Sequence, residues 1–457
     1  MRRRPGAVLR RALAGAALSL PACALPPSPP GGEVAPVTTP STDDRWRAAA
    51  EHFVRDLEAG RADSAAASVS AEVPANALSA ERLRGVWTQL TGQLGVLAAL
   101  EPYDVSEAGG RRSVDLAARF DRSEVTLRVV LDSAAKVTGF WVRAPRPAPY
   151  AAPSYVDSAE FREVELQVGA APALPAVLTL PRRGAPFPII VLVHGSGPND
   201  RDESIGPNKP FRDLAWGLAS RGVAVLRYDK RTRAHPASLP PEVTVEQEVI
   251  VDALAALAAA RAAAGVDARR VFLLGHSLGA ALAPEIAARD GRVAGVVMLA
   301  PPARTSSTVL ADQLGYLDSL ARAAGQTPDA QLAAALALLP QLEARTLPAT
   351  TNVLGAPASY WYDLDDRKPV ERARSLPAPM LLLFGGRDYQ VTDADVRLWR
   401  DALAGRATAT LRVLPELNHL FVAGTGRATP AEYTSAPGHV AESVVAELAR
   451  FLTQGAR

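Results

Sequence analysis

A strand-like apolar run that ends at a serine between two glycines constrains this chain most strongly. Residues 271–284 read VFLLGHSLGAALAP, so apolar residues precede Gly275, Ser277 and Gly279, and small helix-compatible residues follow. The pattern predicts a strand, a tight turn at Ser277 and a helix whose positive N-terminus lies beside the serine hydroxyl. Side chains in place of the two glycines would collide with neighbouring backbone. Ser277 is therefore the candidate nucleophile, and Pro284 is expected to kink or shorten the helix.

The region around this motif alternates between apolar strands and helices. After an opening hairpin at residues 161–168 and 176–180, strands are predicted at residues 187–193, 223–228, 271–274, 293–299, 380–384 and 409–414. Helices are predicted at residues 211–220, 244–264, 278–288, 393–404 and 439–452. This alternation is typical of the α/β class, with a mostly parallel sheet flanked by helices on both faces.

A leucine-rich insertion separates two of the predicted strands. Leucines recur at helical spacing within residues 305–347, and the aromatic residues Tyr360, Trp361 and Tyr362 follow. We expect a helical lid at about residues 303–375. The aromatic side chains either wall a substrate pocket or pack within the lid.

Residues 43–145 have a different pattern, which indicates a smaller α+β domain. Helices are predicted at residues 43–57 and 79–100, and strands at residues 112–120, 125–131 and 137–142. This order resembles the small cone-shaped domain of nuclear transport factors. Residues 146–158 are rich in proline and form the expected linker to the larger domain at residues 159–457.

The first residues have the composition of an export leader. Five arginines precede an apolar stretch at residues 12–25, which is too short to span a bilayer, so residues 1–25 are predicted to be a signal peptide. Residues 26–42, rich in proline, are the expected extended tether. Cys23 follows Leu-Pro-Ala in a pattern similar to the lipobox of bacterial lipoproteins, whereas cleavage within residues 22–24 is the alternative. We expect an exported protein of the periplasm or cell envelope, attached to the membrane if Cys23 is lipidated.

Composition excludes several other functions. The chain has 50 basic and 48 acidic residues, a balance that argues against nucleic acid as a partner. Cys23 is the only cysteine, so no disulfide within the chain and no thiolate metal cluster can form.

A serine nucleophile needs a histidine as general base and an acid to orient it. Of the six histidines, His419 follows the last predicted strand in LPELNHLF, from where its imidazole can reach back to Ser277. Asp388 follows another apolar strand in FGGRDYQV and is the candidate acid. Other acids between the serine and the histidine remain open; they are Asp365, Asp366, Asp393, Asp395 and Glu416.

An acyl-transfer site also requires two donors for the oxyanion. The backbone N–H of Leu278, directly after the candidate serine, can supply the first. The loop at residues 194–198, HGSGP, can supply the second through Ser196, with Gly197 as the next choice. The charged residues 200–203 and 229–231 either contact a polar substrate or are solvated or paired with one another.

With these motifs in order, residues 160–455 resemble the α/β-hydrolase fold. The segments HGSGPNDRDESIGPNKPFRDLA, LRYDKRT, GHSLG, GGRDYQV and LNHLF are similar to a bacterial esterase subgroup, often described as dienelactone-hydrolase-like or serine-aminopeptidase-like. The resemblance implies hydrolysis of a small-molecule carboxylic ester through an acyl-enzyme, with Ser277, Asp388 and His419 as the triad. It implies no metal and no organic cofactor.

Two further hypotheses stay open at this point. A peptidase, thioesterase or acyltransferase would use the same triad, because these reactions differ in pocket shape and in the acceptor. A protein of another class, an inert binding protein of the envelope, would keep the fold without the chemistry.

Overall fold

The computed structural model describes residues 43–108, 110–143, 150–325, 330–434 and 436–454. The predicted signal peptide, the tether and Cys23 lie outside these residues. The described chain divides into two compact units, one before residue 149 and one from that residue onward. In the described ranges, no helix combines the length and the apolar character needed to cross a bilayer.

The N-terminal unit consists of three helices and one antiparallel sheet. The helices are α1 (Asp44–Glu58), α2 (Ala62–Ala67) and α3 (Ala80–Leu94). The strands pair in chain order and are β1 (Leu97–Ala108), β2 (Arg111–Phe120), β3 (Ser123–Leu131) and β4 (Val137–Arg143). Alternate side chains of β2 and β3 are buried with the apolar face of α1, as the period-two pattern predicts.

Two elements of this unit differ from the prediction. Helix α3 ends at Leu94 rather than near residue 100, and the chain enters β1 instead. Gly95 has a φ of +91°, a conformation that side chains disfavour, and it stops the helix there. Strand β1 and the short helix α2 were not predicted, because neither has a clear apolar period of its own.

The larger unit is built on an eight-stranded mixed sheet. Its strands are β5 (Phe161–Val168), β6 (Leu174–Pro181), β7 (Phe187–Val193), β8 (Ala224–Tyr228), β9 (Val266–His276), β10 (Gly295–Leu299), β13 (Met380–Gly385) and β14 (Ala409–Leu414), with the short pair β11 (Asn352–Val353) and β12 (Ala356–Pro357) forming a separate ribbon. The order across the sheet is β14-β13-β10-β9-β7-β8-β6-β5. All neighbours from β14 to β8 are parallel, and only β6 and β5 are antiparallel additions. The predicted fold class is confirmed.

Helices cover both faces of the sheet and fill the insertion. They are α4 (Pro210–Ala219), α5 (Arg231–Ala234), α6 (Val251–Ala262), α7 (Leu278–Asp290), α8 (Ser306–Ala323), α9 (Ala330–Glu343), α10 (Ala358–Asp366), α11 (Pro369–Ser375), α12 (Asp393–Ala402), α13 (Pro430–Thr434) and α14 (Glu442–Gln454). The strands β7, β10 and β13 are buried throughout, β9 is buried from residue 271 to its end, and they form the core with the inner faces of these helices. Helices α8 to α11 lie between β10 and β13, where the lid was predicted.

Three helices differ in detail from the sequence pattern. The predicted helix at residues 244–264 opens with a π-helical turn at Glu246–Ile250 before α6. Helix α14 begins three residues after His439, so this histidine precedes the helix. Helix α7 runs through Pro284 to Asp290, and the expected shortening was wrong. Nearly every residue of α7 is buried, and this packing holds the helix together beyond the hydrogen bond that Pro284 cannot make.

Candidate active site

Ser277 occupies the turn between β9 and α7. Its backbone has φ +52° and ψ −115°, a conformation that is rare for a residue with a side chain and costs about 1–3 kcal/mol. Both backbone polar groups are satisfied, since its N–H donates to the carbonyl of Leu299 at 2.9 Å and its carbonyl accepts from Ala281 N–H at 3.0 Å. The side chain is half-buried at the carboxyl edge of the sheet. The surrounding sheet thus enforces the strained turn that the sequence predicts.

The two glycines of the motif allow a close approach of backbone segments. A Cβ on Gly275 would lie 2.1 Å from the carbonyl oxygen of Gly279. A Cβ on Gly279 would lie 2.3 Å from the carbonyl oxygen of Val193, at the end of β7. No side chain fits at these distances, so both positions require glycine, as the sequence predicts.

Asp388 and His419 are in direct contact. Asp388 follows β13, His419 follows β14, and Oδ2 of the aspartate lies 2.6 Å from Nδ1 of the histidine. The other oxygen, Oδ1, accepts hydrogen bonds from the N–H groups of Gln390 at 2.7 Å and Val391 at 3.2 Å. Both side chains are buried. The carboxylate is therefore fixed by its own turn and faces a single nitrogen of the imidazole.

Close packing of two loops brings this pair together. A Cβ on Gly385, the last residue of β13, would lie 2.5 Å from the carbonyl oxygens of Leu417 and Asn418. The Asn418 side chain accepts from the N–H groups of Leu420 at 3.0 Å and Val422 at 3.1 Å, and it closes the loop around His419. Gly385 at the end of β13 and Asn418 before the histidine therefore shape the loops that position the acid and the base.

The loop that carries His419 also contacts the elbow. The imidazole rings of His276 and His419 lie 4.8 Å apart between centroids, and Nε2 of His276 lies 3.0 Å from the carbonyl oxygen of His419. His276 directly precedes Ser277. The structure thus gathers the three predicted catalytic residues at one edge of the sheet.

The loop after β7 lies against the elbow on its other side. A Cβ on Gly195 would lie 3.2 Å from Cβ of Ser277. Gly195 donates its N–H to Glu203 Oε1 at 2.6 Å, and its carbonyl accepts from Lys230 Nζ at 3.0 Å and Asn199 Nδ2 at 3.1 Å. The peptide that joins Gly195 to the next residue is thereby fixed in orientation.

The hydrogen bonds of this loop show which of its N–H groups are free to bind an oxyanion. The N–H of Gly195 is occupied, whereas those of Ser196 and Gly197 make no hydrogen bond within the described residues. Because a trans peptide directs N–H and C=O to opposite sides, the N–H of Ser196 points away from Lys230. Leu278 is the first residue of α7, where N–H groups have no intrahelical acceptor. The predicted donors Leu278, Ser196 and Gly197 all remain available.

Comparison with known proteins identifies the family. Residues 190–433 match the alpha/beta hydrolase family, and residues 50–140 match a family described as a protein of unknown function (DUF3887). The chain is 42% identical to esterase EstD of Thermotoga maritima over 402 residues, which cover 88% of this chain and 94% of that protein. The chain belongs to the α/β hydrolase family.

Solved structures similar to this hydrolase include Est1E from Butyrivibrio proteoclasticus. That likeness has a TM-score of 0.44 and 16% identity, and it covers 64% of this chain and 98% of Est1E. A second similar structure is 2,6-dihydroxy-pseudo-oxynicotine hydrolase, with a TM-score of 0.43 and 15% identity over 65% of this chain and 69% of that one.

The alternative acids of the hydrolase have other partners or are exposed. None of them contacts a histidine in the described ranges; they are Asp365, Asp366, Asp393, Asp395 and Glu416. Asp395 forms the capping box of α12 with Thr392, and its buried carboxylate pairs with Arg304 at 2.9 Å. His439 contacts a different carboxylate, since its Nδ1 lies 3.1 Å from Oδ1 of Asp213.

The charged residues 200–203 and 229–231 are buried or half-buried, and the alternative that they pair with one another is confirmed for Arg201 and Asp229, at 3.0 Å. Glu203 is 1% exposed and lies 3.0 Å from Nδ1 of His276, and Lys230 is 2% exposed and lies 2.8 Å from Glu248. Charged loops are usually solvated, so the sequence gives no signal of these pairs. Protein groups, rather than solvent, surround Glu203 and Lys230.

The aromatic residues of the lid have divided roles. Tyr360 is buried and donates its hydroxyl to Glu248, and Trp361 donates its indole N–H to the carbonyl of Val353 at 2.9 Å. Tyr362 packs with the apolar cluster of the lid. These contacts favour packing in the interior over walling a pocket, with Tyr360 in the main core and Tyr362 in the cluster of the insertion. No group of three or more metal-ligating side chains occurs among the residues that the structure describes.

Proposed function

We propose that this hydrolase is an esterase that cleaves small-molecule carboxylic esters through an acyl-enzyme, with Ser277 as nucleophile, His419 as general base and Asp388 as the orienting acid. The 2.6 Å contact between Asp388 and His419, at the sheet edge that carries the strained Ser277, is the observation that supports the proposal. The similarity to esterase EstD supports the choice of esters as substrates.

The chemistry follows from these positions. Ser277 Oγ attacks the carbonyl carbon of the ester while its proton moves to Nε2 of His419. The N–H groups of Leu278 and Ser196, or of Gly197, stabilise the oxyanion of the tetrahedral intermediate. Collapse of the intermediate breaks the ester bond, and the leaving alkoxide takes the proton from His419. Water then attacks the carbonyl carbon of the acyl-serine while His419 takes a proton from it. His419 returns this proton to Ser277 Oγ as the acyl–serine bond breaks, and the carboxylic acid is released.

Asp388 acts through the imidazole rather than on the substrate. Its carboxylate accepts the proton on Nδ1, so the unprotonated nitrogen of the neutral ring is Nε2. When Nε2 gains the serine proton, the carboxylate stabilises the imidazolium. The buried position of both groups strengthens this interaction, because little water competes for the charges.

The test is the variant Ser277→Ala with a short chromogenic ester. We expect hydrolysis to fall to the background of the uncatalysed reaction and covalent labelling by a fluorophosphonate to disappear. Ser319→Ala, at an exposed serine of α8, is the matched control and should behave as wild type. Full activity of Ser277→Ala would refute the assignment of the nucleophile.

The same assay separates the rival functions. Faster turnover of aminoacyl amides or thioesters than of esters would identify a peptidase or thioesterase on the same residues. An alcohol acceptor that captures the acyl group in preference to water would identify an acyltransferase. Failure of wild-type protein to react with a fluorophosphonate would support the inert binding protein and reject the esterase.

We further propose export through residues 1–25 and lipidation at Cys23. The support is the sequence pattern alone, with arginines ahead of a short apolar stretch and Cys23 at its end. Metabolic labelling with a radioactive fatty acid in a bacterial host should label wild type and leave Cys23→Ser unlabelled. An unlabelled, periplasmic wild-type protein would reject the lipid and retain export with cleavage within residues 22–24.

A further inference from the structure

A second carboxylate–imidazole pair lies behind the proposed catalytic residues. Glu203 and His276 are almost fully buried, and Oε2 of the glutamate lies 3.0 Å from Nδ1 of the histidine. Glu203 has a φ of +52°, a backbone conformation that non-glycine residues seldom adopt. Strain of this kind persists only where surrounding contacts enforce it, and it is concentrated at functional sites.

Both ring nitrogens of His276 lie close to an oxygen atom. Its Nδ1 faces a carboxylate oxygen of Glu203, and its Nε2 faces the carbonyl oxygen of His419 at 3.0 Å. A neutral imidazole has one N–H and can donate to only one of two acceptors. Nδ1 and Oε2 lie at ion-pair distance without the alignment of a hydrogen bond, so the negative charge of Glu203 is what favours an imidazolium at His276.

The electrostatic surroundings agree with this charge state. Burial opposes ionisation of both groups, but their mutual attraction and hydrogen bonds raise the pKa of His276 and lower the pKa of Glu203. The pair carries no net charge, so it fixes geometry without adding a positive field beside His419.

The pair connects three segments of the site. Glu203 Oε1 accepts the N–H of Gly195, in the loop that offers the oxyanion donors. His276 is the last residue of β9 and directly precedes Ser277. Through Nε2 it also contacts the carbonyl of His419. The loop at Gly195 and the loop at His419 are thus both attached to His276, at the buried end of the central strand β9.

We propose that Glu203 and His276 are positioning residues for hydrolysis, a role that rests on the function proposed above. Their ion pair holds the loop at Gly195 and the loop at His419 against the elbow. Preorganised geometry matters here because a displacement of about 1 Å in a catalytic group can cost about 100-fold in rate. Neither residue contacts the substrate in this proposal.

The variant Glu203→Gln tests the proposal with little change in shape. The glutamine oxygen can still accept the N–H of Gly195, whereas the amide offers His276 no negative charge. We expect kcat for a short ester to fall about 10- to 100-fold with KM little changed. Asp290→Asn is the matched control, since it removes a buried carboxylate that pairs with Arg261 at the far end of α7 and should leave kcat unchanged.

A spectroscopic measurement reads the charge of His276 independently of activity. In wild type, ¹⁵N NMR of His276 at pH 8 should show protons on both ring nitrogens, and Glu203→Gln should lose one of them. The double variant Glu203→Gln/His276→Gln should be no slower than the slower single variant, because the two residues act as a unit.

The outcomes separate this proposal from the one on which it rests. A neutral His276 in wild type, a Glu203→Gln enzyme with wild-type kcat, or additive losses in the double variant would each overturn the positioning role. If Ser277→Ala is inactive while Glu203→Gln is fully active, only the positioning role fails. An active Ser277→Ala would instead overturn the proposed function.

Discussion

Asp388→Asn is the substitution that tests the proposed orientation of His419 most directly. The change keeps the volume of the side chain and exchanges one carboxylate oxygen for an NH₂ group. In the native turn, Oδ1 accepts from the N–H groups of Gln390 and Val391, and Oδ2 faces Nδ1 of His419. An amide can keep the two backbone hydrogen bonds only if its oxygen replaces Oδ1 and its nitrogen faces the imidazole.

This orientation decides the tautomer of His419. The alternative, with the NH₂ group against two backbone donors, leaves both N–H groups unsatisfied in a buried turn, at about 1–3 kcal/mol each. With the amide nitrogen at the imidazole, Nδ1 must become the acceptor and the proton moves to Nε2. A protonated Nε2 cannot accept the proton of Ser277. A wrong tautomer costs about 10⁴-fold in kcat, or about 5.5 kcal/mol in the barrier.

The assay is kcat and KM for a chromogenic ester, together with the thermal unfolding midpoint. We expect kcat of Asp388→Asn to fall about 10⁴-fold with KM close to wild type and the fold intact. Asp393→Asn, at an exposed carboxylate five positions along the chain, is the matched control and should keep its activity. A folded Asp388→Asn enzyme that retains a tenth of wild-type kcat or more would refute the argument from the tautomer.

Two further predictions follow from close packing and from burial. Gly279→Ala places a Cβ 2.3 Å from the carbonyl oxygen of Val193, so the elbow must shift, and ester hydrolysis should fall about 100-fold or more with a lower melting temperature; wild-type kinetics would contradict this. Burial lowers the pKa of His194 to about 4. As the pH falls, the unfolded state therefore takes up this proton at a higher pH than the folded state does, and about 3 kcal/mol of stability is lost between pH 6.5 and pH 4. Denaturant unfolding of His194→Phe should show a pH dependence that is smaller by this amount over the same range, and an unchanged pH dependence would contradict it.

The candidate site could be predicted to the extent that its signals are local. The elbow occupies a few consecutive residues, and Gly275 and Gly279 are required by contacts that any strand–turn–helix of this kind makes. Asp388 and His419 were found because each follows an apolar strand, and the carboxyl ends of parallel strands share one edge of a sheet. Their mutual contact needed the structure, since it depends on how the loops after β13 and β14 pack.

The errors have a common physical origin. The first four residues of β1 were predicted as the end of a helix and the rest as no element, because the alternation is weak and pairing with β2 rather than local propensity stabilises the strand. The expected shortening at Pro284 was wrong because the burial of α7 outweighs one missing hydrogen bond. In both cases contacts distant in sequence determine the local conformation.

The sequence by itself determined the class of the fold, the strained serine and the chain order of the residues proposed for catalysis, because these depend on periodicity, glycine sterics and strand ends. Only the tertiary structure decided which charges are buried. Glu203 lies in a charged loop for which solvation, pairing and substrate contact all stayed open, and nothing in the sequence around its partner His276 indicates an ion pair. Burial of an ion pair depends on the sheet and both loops closing around it, and no pattern of neighbouring residues records that closure.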